Sequence, residues 1–381
     1  MADLTNIRDR IDSVDAEILK LFIDRMALTD EVAAYKQAND LPVLDRSRER
    51  AKLASVLDET PDELKDYATV LFNLLFEVSR ANQSASITGQ ANLVASIKEA
   101  LETTPDLFPR QAYVACQGVE GAFSQIAADK LFKHAYLSFF STFEGVFRAV
   151  EQGFCSYGVL PFENSSAGTV NQVYDLMSQY DFHIVRTVRL KIDHNLLVKE
   201  GVELDRITDV YSHQQAIDQC ADFLASLEGV TVHMVENTAV AAKLVAESED
   251  PGAAALGSRS AAETYGLDIC RHAVQDTANN YTRFACISKN LEIYPGADRS
   301  SLSVVVADKP GALYKVLARF YSLDINLVKL ESRPIADRNF EYLFYFDVDC
   351  PVAAPEFLRL IGSLDDVCEE FRYLGSYNEV V

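Results

Sequence analysis

The chain has 381 residues, enough for two or three domains that each bury a core. Nearly half of the residues are apolar and the net charge is −22, which argues against a nucleic-acid or acidic-membrane partner and requires any anionic ligand to be held by a local basic cluster. No apolar run of about 18 residues is present, so no transmembrane helix is expected, and MADLTNIRDRIDSVD lacks the apolar core of a signal peptide. Seven scattered cysteines, with no CxxC and no Cys/His cluster, read as reduced thiols of a cytoplasmic protein without a metal site.

The first ninety residues read as all-helical, with no glycine before Gly89 and prolines only at Pro42 and Pro61. Thr60 as N-cap, Pro61 at the first helical position and Glu63 reaching back predict a helix start. Ile7, Ile11, Val14, Ile18, Leu21, Leu28, Val32 and Tyr35 step by fours and threes, and Arg25 fills the one gap. That stripe predicts a helix of about 30 residues, about 45 Å long. One small domain cannot hide such a stripe, so pairing with a second chain is expected. A charge on the seam is costly without a partner, although Arg25 in such a place can simply set register or snorkel to the edge. Lys36, eleven residues on, shares its face. Arg8, seventeen residues before it, is turned about 100° away and reaches the same pocket only from a partner chain. Asp45, Arg48, Glu49 and Lys52 follow at three- and four-residue spacings, and Ser79 and Gln83 are i,i+4. Taken singly, these spacings are ordinary solvent faces.

Residues 84–110 form a Ser/Gln/Thr/Pro-rich connection around a short helix. From Tyr113 to Lys289 short strands alternate with helices, which predicts α/β structure with a mostly parallel sheet. Four motifs lie at strand ends or helix starts, where such folds bind ligands. They are GVEGAFS (Gly118–Ser124), PFENSSAG (Pro161–Gly168), YSHQQAIDQC (Tyr211–Cys220) and NNYTRFACIS (Asn279–Ser288). In the last, Thr282 and Arg283 stand at the mouth of a buried strand, Phe284–Ile287. YPGADRS (Tyr294–Ser300) marks a second seam. The remaining segment reads βαββαβ, a ferredoxin-like order.

The helical segment resembles the chorismate mutase that is fused to prephenate dehydratase in bifunctional enzymes of phenylalanine biosynthesis, and the resemblance runs from end to end. It implies an intertwined helical dimer at 1–90, a two-lobed dehydratase resembling periplasmic binding proteins at 111–290, and an ACT domain at 299–381. It also implies chorismate and prephenate as substrates, no cofactor, and L-phenylalanine as effector. For the mutase it implies Arg8 of a partner chain, Arg25, Lys36, Asp45, Arg48, Glu49, Ser79 and Gln83, with Lys36 and Gln83 as donors to the ether oxygen. For the dehydratase it implies Asn164, Ser165, Ser212, Gln219, Thr282, Arg283 and Phe284, with Arg283 on a substrate carboxylate and Thr282 on the departing hydroxyl. Val119 and Ala122 depart from the commoner Pro and Thr of the family's first loop. For phenylalanine it implies Gly311, Ala312, Leu313, Asn326, Glu331, Ser332, Arg333 and Pro334, between two ACT domains.

The residue types suit this chemistry. Rearranging chorismate needs no nucleophile, only a held conformer and donors for the charge growing on the ether oxygen. A prephenate dehydrogenase would need a nicotinamide site, and no strand–GxGxxG–helix occurs. Arogenate in place of prephenate, and a phenylalanine sensor with inactive enzyme segments, are the remaining alternatives.

Overall fold

The structure is a computed structural model that describes residues 4–39, 41, 45–85, 91–335, 341–364 and 367–381; Pro42 and residues 86–90 of the expected connection lie outside them. Helix α1 (Leu4–Ala38) is one continuous rod, and α2 (Arg46–Glu59) and α3 (Lys65–Ala85) fold back beside it. Within the single chain only Thr29 and Ala33 of α1 are buried, and Ile7, Ile11, Val14, Ile18, Leu21, Leu28, Val32 and Tyr35 are exposed. The expected helix start at Pro61 is not found. Thr60 instead closes α2, its N–H bonding Leu57 O and its hydroxyl bonding Val56 O. Pro61, with ψ of 142°, precedes a single 3₁₀ turn, and α3 begins at Lys65. A hydroxyl that can bond the carbonyl four residues back serves a helix end as well as a start.

Helix α4 (Ala91–Thr103) leads into the α/β region: β1 (Gln111–Gln117), α5 (Phe123–Leu131), β2 (His134–Phe140), α6 (Phe143–Glu151), β3 (Tyr157–Asn164), β4 (Gly168–Thr169), α7 (Asn171–Gln179) and β5 (His183–Lys191) build one lobe. The chain then forms β6 (Asn195–Val198), β7 (Asp209–Ser212), α8 (Gln214–Gln219), α9 (Ala221–Ala225), β8 (Thr231–Met234), α10 (Thr238–Glu247), β9 (Ala253–Gly257), α11 (Arg259–Tyr265) and β10 (Asp268–Arg271), the second lobe. It returns to the first through β11 (Tyr281–Ser288). The second-lobe sheet runs β10-β6-β9-β7-β8. Both sheets are mixed, which corrects the mostly parallel expectation: β11 lies antiparallel to both β3 and β5. The reason is the crossover. Strand β5 carries the chain out of the first lobe and β11 carries it back in the opposite sense.

The last segment is β12 (Arg299–Val305), α12 (Ala312–Ser322), β13 (Asn326–Pro334), β14 (Tyr342–Asp349), α13 (Pro355–Leu364), β15 (Glu370–Tyr377) and β16 (Glu379–Val380). Its sheet runs β13-β14-β12-β15, as the ferredoxin-like order predicts. The core under it also takes Ile97 and Ala100 of α4. On its other side Tyr345, Leu374 and Tyr377 are buried in the core of the first lobe. Gly375 allows this approach, since a Cβ there would lie 2.3 Å from Ile184 O. Strand β16 then adds to the first-lobe sheet itself, parallel to β5, and completes the order β16-β5-β11-β3-β1-β2.

Candidate active sites

In the helical segment, Arg25 crosses from α1 to α3. Its guanidinium donates to Leu75 O at 3.0 Å and to the Ser79 hydroxyl. Burial lowers its pKa, as is expected for a cation on an apolar seam. Ser79 and Gln83 stack one turn apart, both buried, with Gln83 Nε2 donating to Ser79 O. Asp45 caps α2 by accepting from Arg48 N at 3.0 Å; that bond, the Ser47 hydroxyl and the charge of Lys36 hold its carboxyl below the usual range. Glu49 is joined to Arg80 of α3. The segment therefore brings Arg25 of α1 to Ser79, one turn from Gln83 on α3, and Lys36 near Asp45. Arg8 is exposed about 25 Å further along α1 and cannot reach Arg25 within its own chain.

A cleft of about 450 Å³ lies between the two α/β lobes, within the size of small-molecule sites. Phe123, Phe143, Ile192, Val170 and Phe284 supply an apolar wall, and Asn164, Gln219, His194 and Thr282 supply polar groups. These four are linked through Asn280. Asn164 Oδ1 accepts from the backbone N–H groups of Ser166 and Ala167, at 3.0 and 2.8 Å. Those two bonds settle which end of the amide is oxygen. Its Nδ2 then donates to Asn280 Oδ1 and to Thr282 Oγ1, each at 2.9 Å. Asn280 Nδ2 donates in turn to Gln219 Oε1, which also meets His194 Nε2 at 3.0 Å. An amide oxygen only accepts, so His194 carries its proton on Nε2. Burial lowers the histidine pKa and keeps it neutral. Two polar atoms of this network, His194 Nδ1 and Gln219 Nε2, are buried without a partner in the described chain. Thr282 Oγ1 accepts from Asn164 and lines the cleft.

Comparison with known proteins follows this layout. The models of three families match in order: chorismate mutase type II over residues 7–84, prephenate dehydratase over 114–292 and the ACT domain over 300–366. The bifunctional chorismate mutase/prephenate dehydratase of Escherichia coli is 30% identical, the match covering 98% of this chain and 96% of that one. The chain belongs to the bifunctional chorismate mutase/prephenate dehydratase family. An Arabidopsis thaliana relative named arogenate dehydratase/prephenate dehydratase 2 is 37% identical over 69% of this chain and 72% of its own length. The solved prephenate dehydratase of Arthrobacter aurescens in complex with L-Phe matches with a TM-score of 0.64 at 26% identity, over 70% of this chain and 89% of that one. The enzyme thus rearranges chorismate to prephenate and turns prephenate into phenylpyruvate, in phenylalanine biosynthesis, and it carries an ACT domain.

Not every predicted residue of this bifunctional enzyme faces the cleft. Ser165 lies beside it and ties the ENSS turn to the TRF strand: its hydroxyl donates to Asn279 O and accepts from Tyr281 N. Ser212 is fully buried and donates to Leu256 O in the second-lobe sheet. Arg283 points away from the cleft, which corrects its expected place on a substrate carboxylate. Side chains alternate along a strand, so Thr282 and Phe284 face the cleft and Arg283 the other side. There it donates to Glu379 and Glu163 at 2.8 and 3.0 Å. The cleft-facing ends of α5 and α10 are helix N-termini; Asn237 caps α10, and the uncapped start of α5 suits a carboxylate without a guanidinium. Ala122, where a Thr is commoner, leaves α5 without a side-chain cap.

The ACT residues also divide. Gly311 is the N-cap of α12 in a left-handed conformation, φ +82°, with Ala312 and Leu313 half-buried behind it, and Asn326 is exposed at the start of β13. Glu331 instead accepts from Thr169 of the dehydratase cleft rim at 3.0 Å, and Arg333 makes a forked pair with Asp175. Ser332, between them, and Pro334 are exposed. His194, Asn280 and Arg80 are polar partners that the motif reading passed over. The signal for Asn280 was its place two residues before Thr282 on the same face. Burial pushes the Cys220 thiol up to about 12, which makes it a packing residue beside Gln219.

Proposed function

We propose that the mutase acts as a homodimer. In each site Arg25 and Arg48 hold the two carboxylates of chorismate, with Arg8 contributed by the second chain. Lys36 and Gln83 donate to the ether oxygen as its C–O bond breaks. Glu49 takes the ring hydroxyl, and Asp45 and Ser79 orient the groups beside them. The anchoring of Arg25 by Ser79 and Leu75 O supports a preset fork, and the bare stripe of α1 supports the dimer.

For the dehydratase we propose Thr282 as the group that assists departure of hydroxide. The C–O electron pair leaves with the ring oxygen, which takes a hydrogen bond or proton from Thr282. The bond to the ring carboxylate breaks at the same carbon framework, its electrons complete the aromatic ring, and CO₂ leaves. The carrying observation is the fixed Asn164 amide, which donates to the Thr282 oxygen and so leaves the hydroxyl hydrogen free for a group in the cleft. Gln219 Nε2, buried and unpartnered, supplies a donor to the keto-acid side chain of prephenate. Asn164 holds the rung and Phe284 packs the ring. Ser165 and Ser212 support the two strand ends.

Phenylalanine binds at the α12 turn, Gly311 to Leu313, with Asn326, and inhibits. Arogenate as the dehydratase substrate is supported by Glu236, an acidic group on the cleft wall that could meet an ammonium. The test is a coupled assay with chorismate alone. Phenylpyruvate should appear and slow when phenylalanine is added. Accumulation of prephenate without phenylpyruvate would refute the dehydratase reading, and arogenate offered next would decide the substrate.

A further inference from the structure

Behind the catalytic rung lies a second one of opposite character. Thr282 pairs with Asn164 across β11 and β3, and Arg283 pairs with Glu163 at the next position, where the register shifts. The first pair faces the cleft and the second faces the ACT domain. Arg283 meets Glu163, Glu379 at 2.8 Å and Asp347 at 3.7 Å. Lys329 of β13 stands 3.4 Å from Glu163 and donates to Thr169 Oγ1 and to the Tyr174 hydroxyl, each at 3.0 Å. Thr169 lines the cleft. Asp347, buried in β14, also accepts from the Ser301 hydroxyl at 2.5 Å. Arg299 and Arg189 each stand 3.9 Å from Glu379, so four cations face the three carboxylates.

Burial works against the charge of Arg283, but Glu379 and Glu163 outweigh it and the guanidinium is held above its ordinary pKa. Burial raises the Asp347 pKa, opposed by Ser301, Lys329 and Arg283. Each of these charges is therefore tolerated because the others are present. Four of them, Asp347, Glu379, Lys329 and Arg299, are carried by the regulatory segment, and two, Glu163 and Arg283, sit next in sequence to the catalytic pair.

We propose that Arg283 is a positioning residue for the dehydratase reaction, and that the regulatory segment, through Glu379, Asp347 and Lys329, sets the separation of Asn164 and Thr282 from behind. This rests on the reading of Thr282 as the donor. A movement of β13 or β16 that takes Lys329 or Glu379 away loosens the Arg283–Glu163 rung at the register shift. The adjacent rung follows because backbone and ladder are shared. The chemical step suffers while the cleft surface that binds substrate is unaltered, so kcat falls and KM does not.

The test uses the full chain with Glu379→Gln, Lys329→Met, Arg283→Lys and Arg283→Met, beside Thr282→Ala. Dehydratase kcat should fall about tenfold or more in Glu379→Gln and Lys329→Met, the scale of a displaced catalytic group, with KM within about twofold. Mutase turnover should be unchanged. Calorimetry should find phenylalanine bound as tightly as before while its inhibition of the remaining turnover weakens. Arg283→Met should lose more than Arg283→Lys. Full turnover in Thr282→Ala would overturn the reading of the cleft and this proposal with it. If Thr282→Ala is inactive, a wild-type kcat and wild-type phenylalanine response in both Glu379→Gln and Lys329→Met overturn the positioning role alone. A raised KM with unchanged kcat in Arg283→Met would also overturn it and return Arg283 to substrate binding.

Discussion

Replacing Thr282 by valine deletes one O–H and keeps the shape of the side chain. Asn164 Nδ2 loses one of its two acceptors and keeps Asn280 Oδ1. The loss to stability is therefore about one hydrogen bond, on the order of 1 kcal/mol, and the fold should survive. The loss to catalysis is larger. Thr282 is only 8% exposed, so little water can replace its hydrogen at the departing hydroxide. Removing one preorganised donor from such a site costs about 10²–10³-fold in kcat, or roughly 3–4 kcal/mol. KM should change little, since the donor acts on charge that develops only as the C–O bond breaks. The assay follows phenylpyruvate from prephenate and, in the same preparation, loss of chorismate by the mutase, which reports that the chain is intact. Thr282→Ser should recover most of the turnover, because the hydroxyl returns within reach of Asn164. The donor role is refuted if Thr282→Val keeps more than about a tenth of wild-type kcat, or if Thr282→Ser is no better than Thr282→Val.

Three further outcomes are expected. Lys36→Met should lower mutase kcat by about 10²-fold or more and leave the dehydratase at wild-type rate; equal losses in both activities would point to a folding defect and against the donor role. If the proposed dimer supplies Arg8 from a second chain, Ile18→Glu, on the bare face of α1, should give a monomer in light scattering and abolish mutase turnover, and a dimer with normal mutase activity would refute the pairing face. Burial lowers the pKa of His183 and His194 below the ordinary 6.5, so the native chain binds fewer protons than the unfolded one as pH falls. Their contribution is complete above pH 6.5 and is lost below it, at up to about 1.4 kcal/mol per pH unit for each; Tm should decline below pH 6.5, and a decline equally steep in His183→Gln and His194→Gln would refute this origin.

Periodicity carried the large features. The fours and threes of α1 placed Arg25 on the seam, and the structure puts its guanidinium on Ser79 of another helix. The βαββαβ order of the last segment was legible because each element kept its own period. The sense of the sheet was not. Whether β11 runs with or against β3 depends on where the chain crosses between lobes, and nothing local to either strand records that. Thr60 failed for a related reason: a hydroxyl beside a proline fits a helix start, yet here the carbonyl of Val56 was available first. Helix α4 looked like part of a linker because its partners, among them Leu360 and Phe357, come more than 250 residues later.

Arg283 is the instructive case, because the information was present and was passed over. A strand alternates its faces. If Thr282 and Phe284 address the substrate, the residue between them cannot do so from the same strand. A basic residue in a ligand motif invites the carboxylate reading, and a net charge of −22 strengthens the invitation. What defeats it is the regulatory segment. Glu379 lies 96 residues beyond Arg283 and Asp347 lies 64 beyond it, and neither belongs to a motif that points back to the TRF strand. Only folding brings three carboxylates to one guanidinium. The same geometry leaves the cleft a place for a carboxylate without it: the start of α5, which has no side-chain cap, faces inward, and unpaired N–H groups at a helix N-terminus attract carboxylates without a formal charge. Alternation thus gives the two neighbours separate surroundings, Thr282 on the cleft wall and Arg283 among the carboxylates of the joint between the dehydratase lobe and the ACT segment.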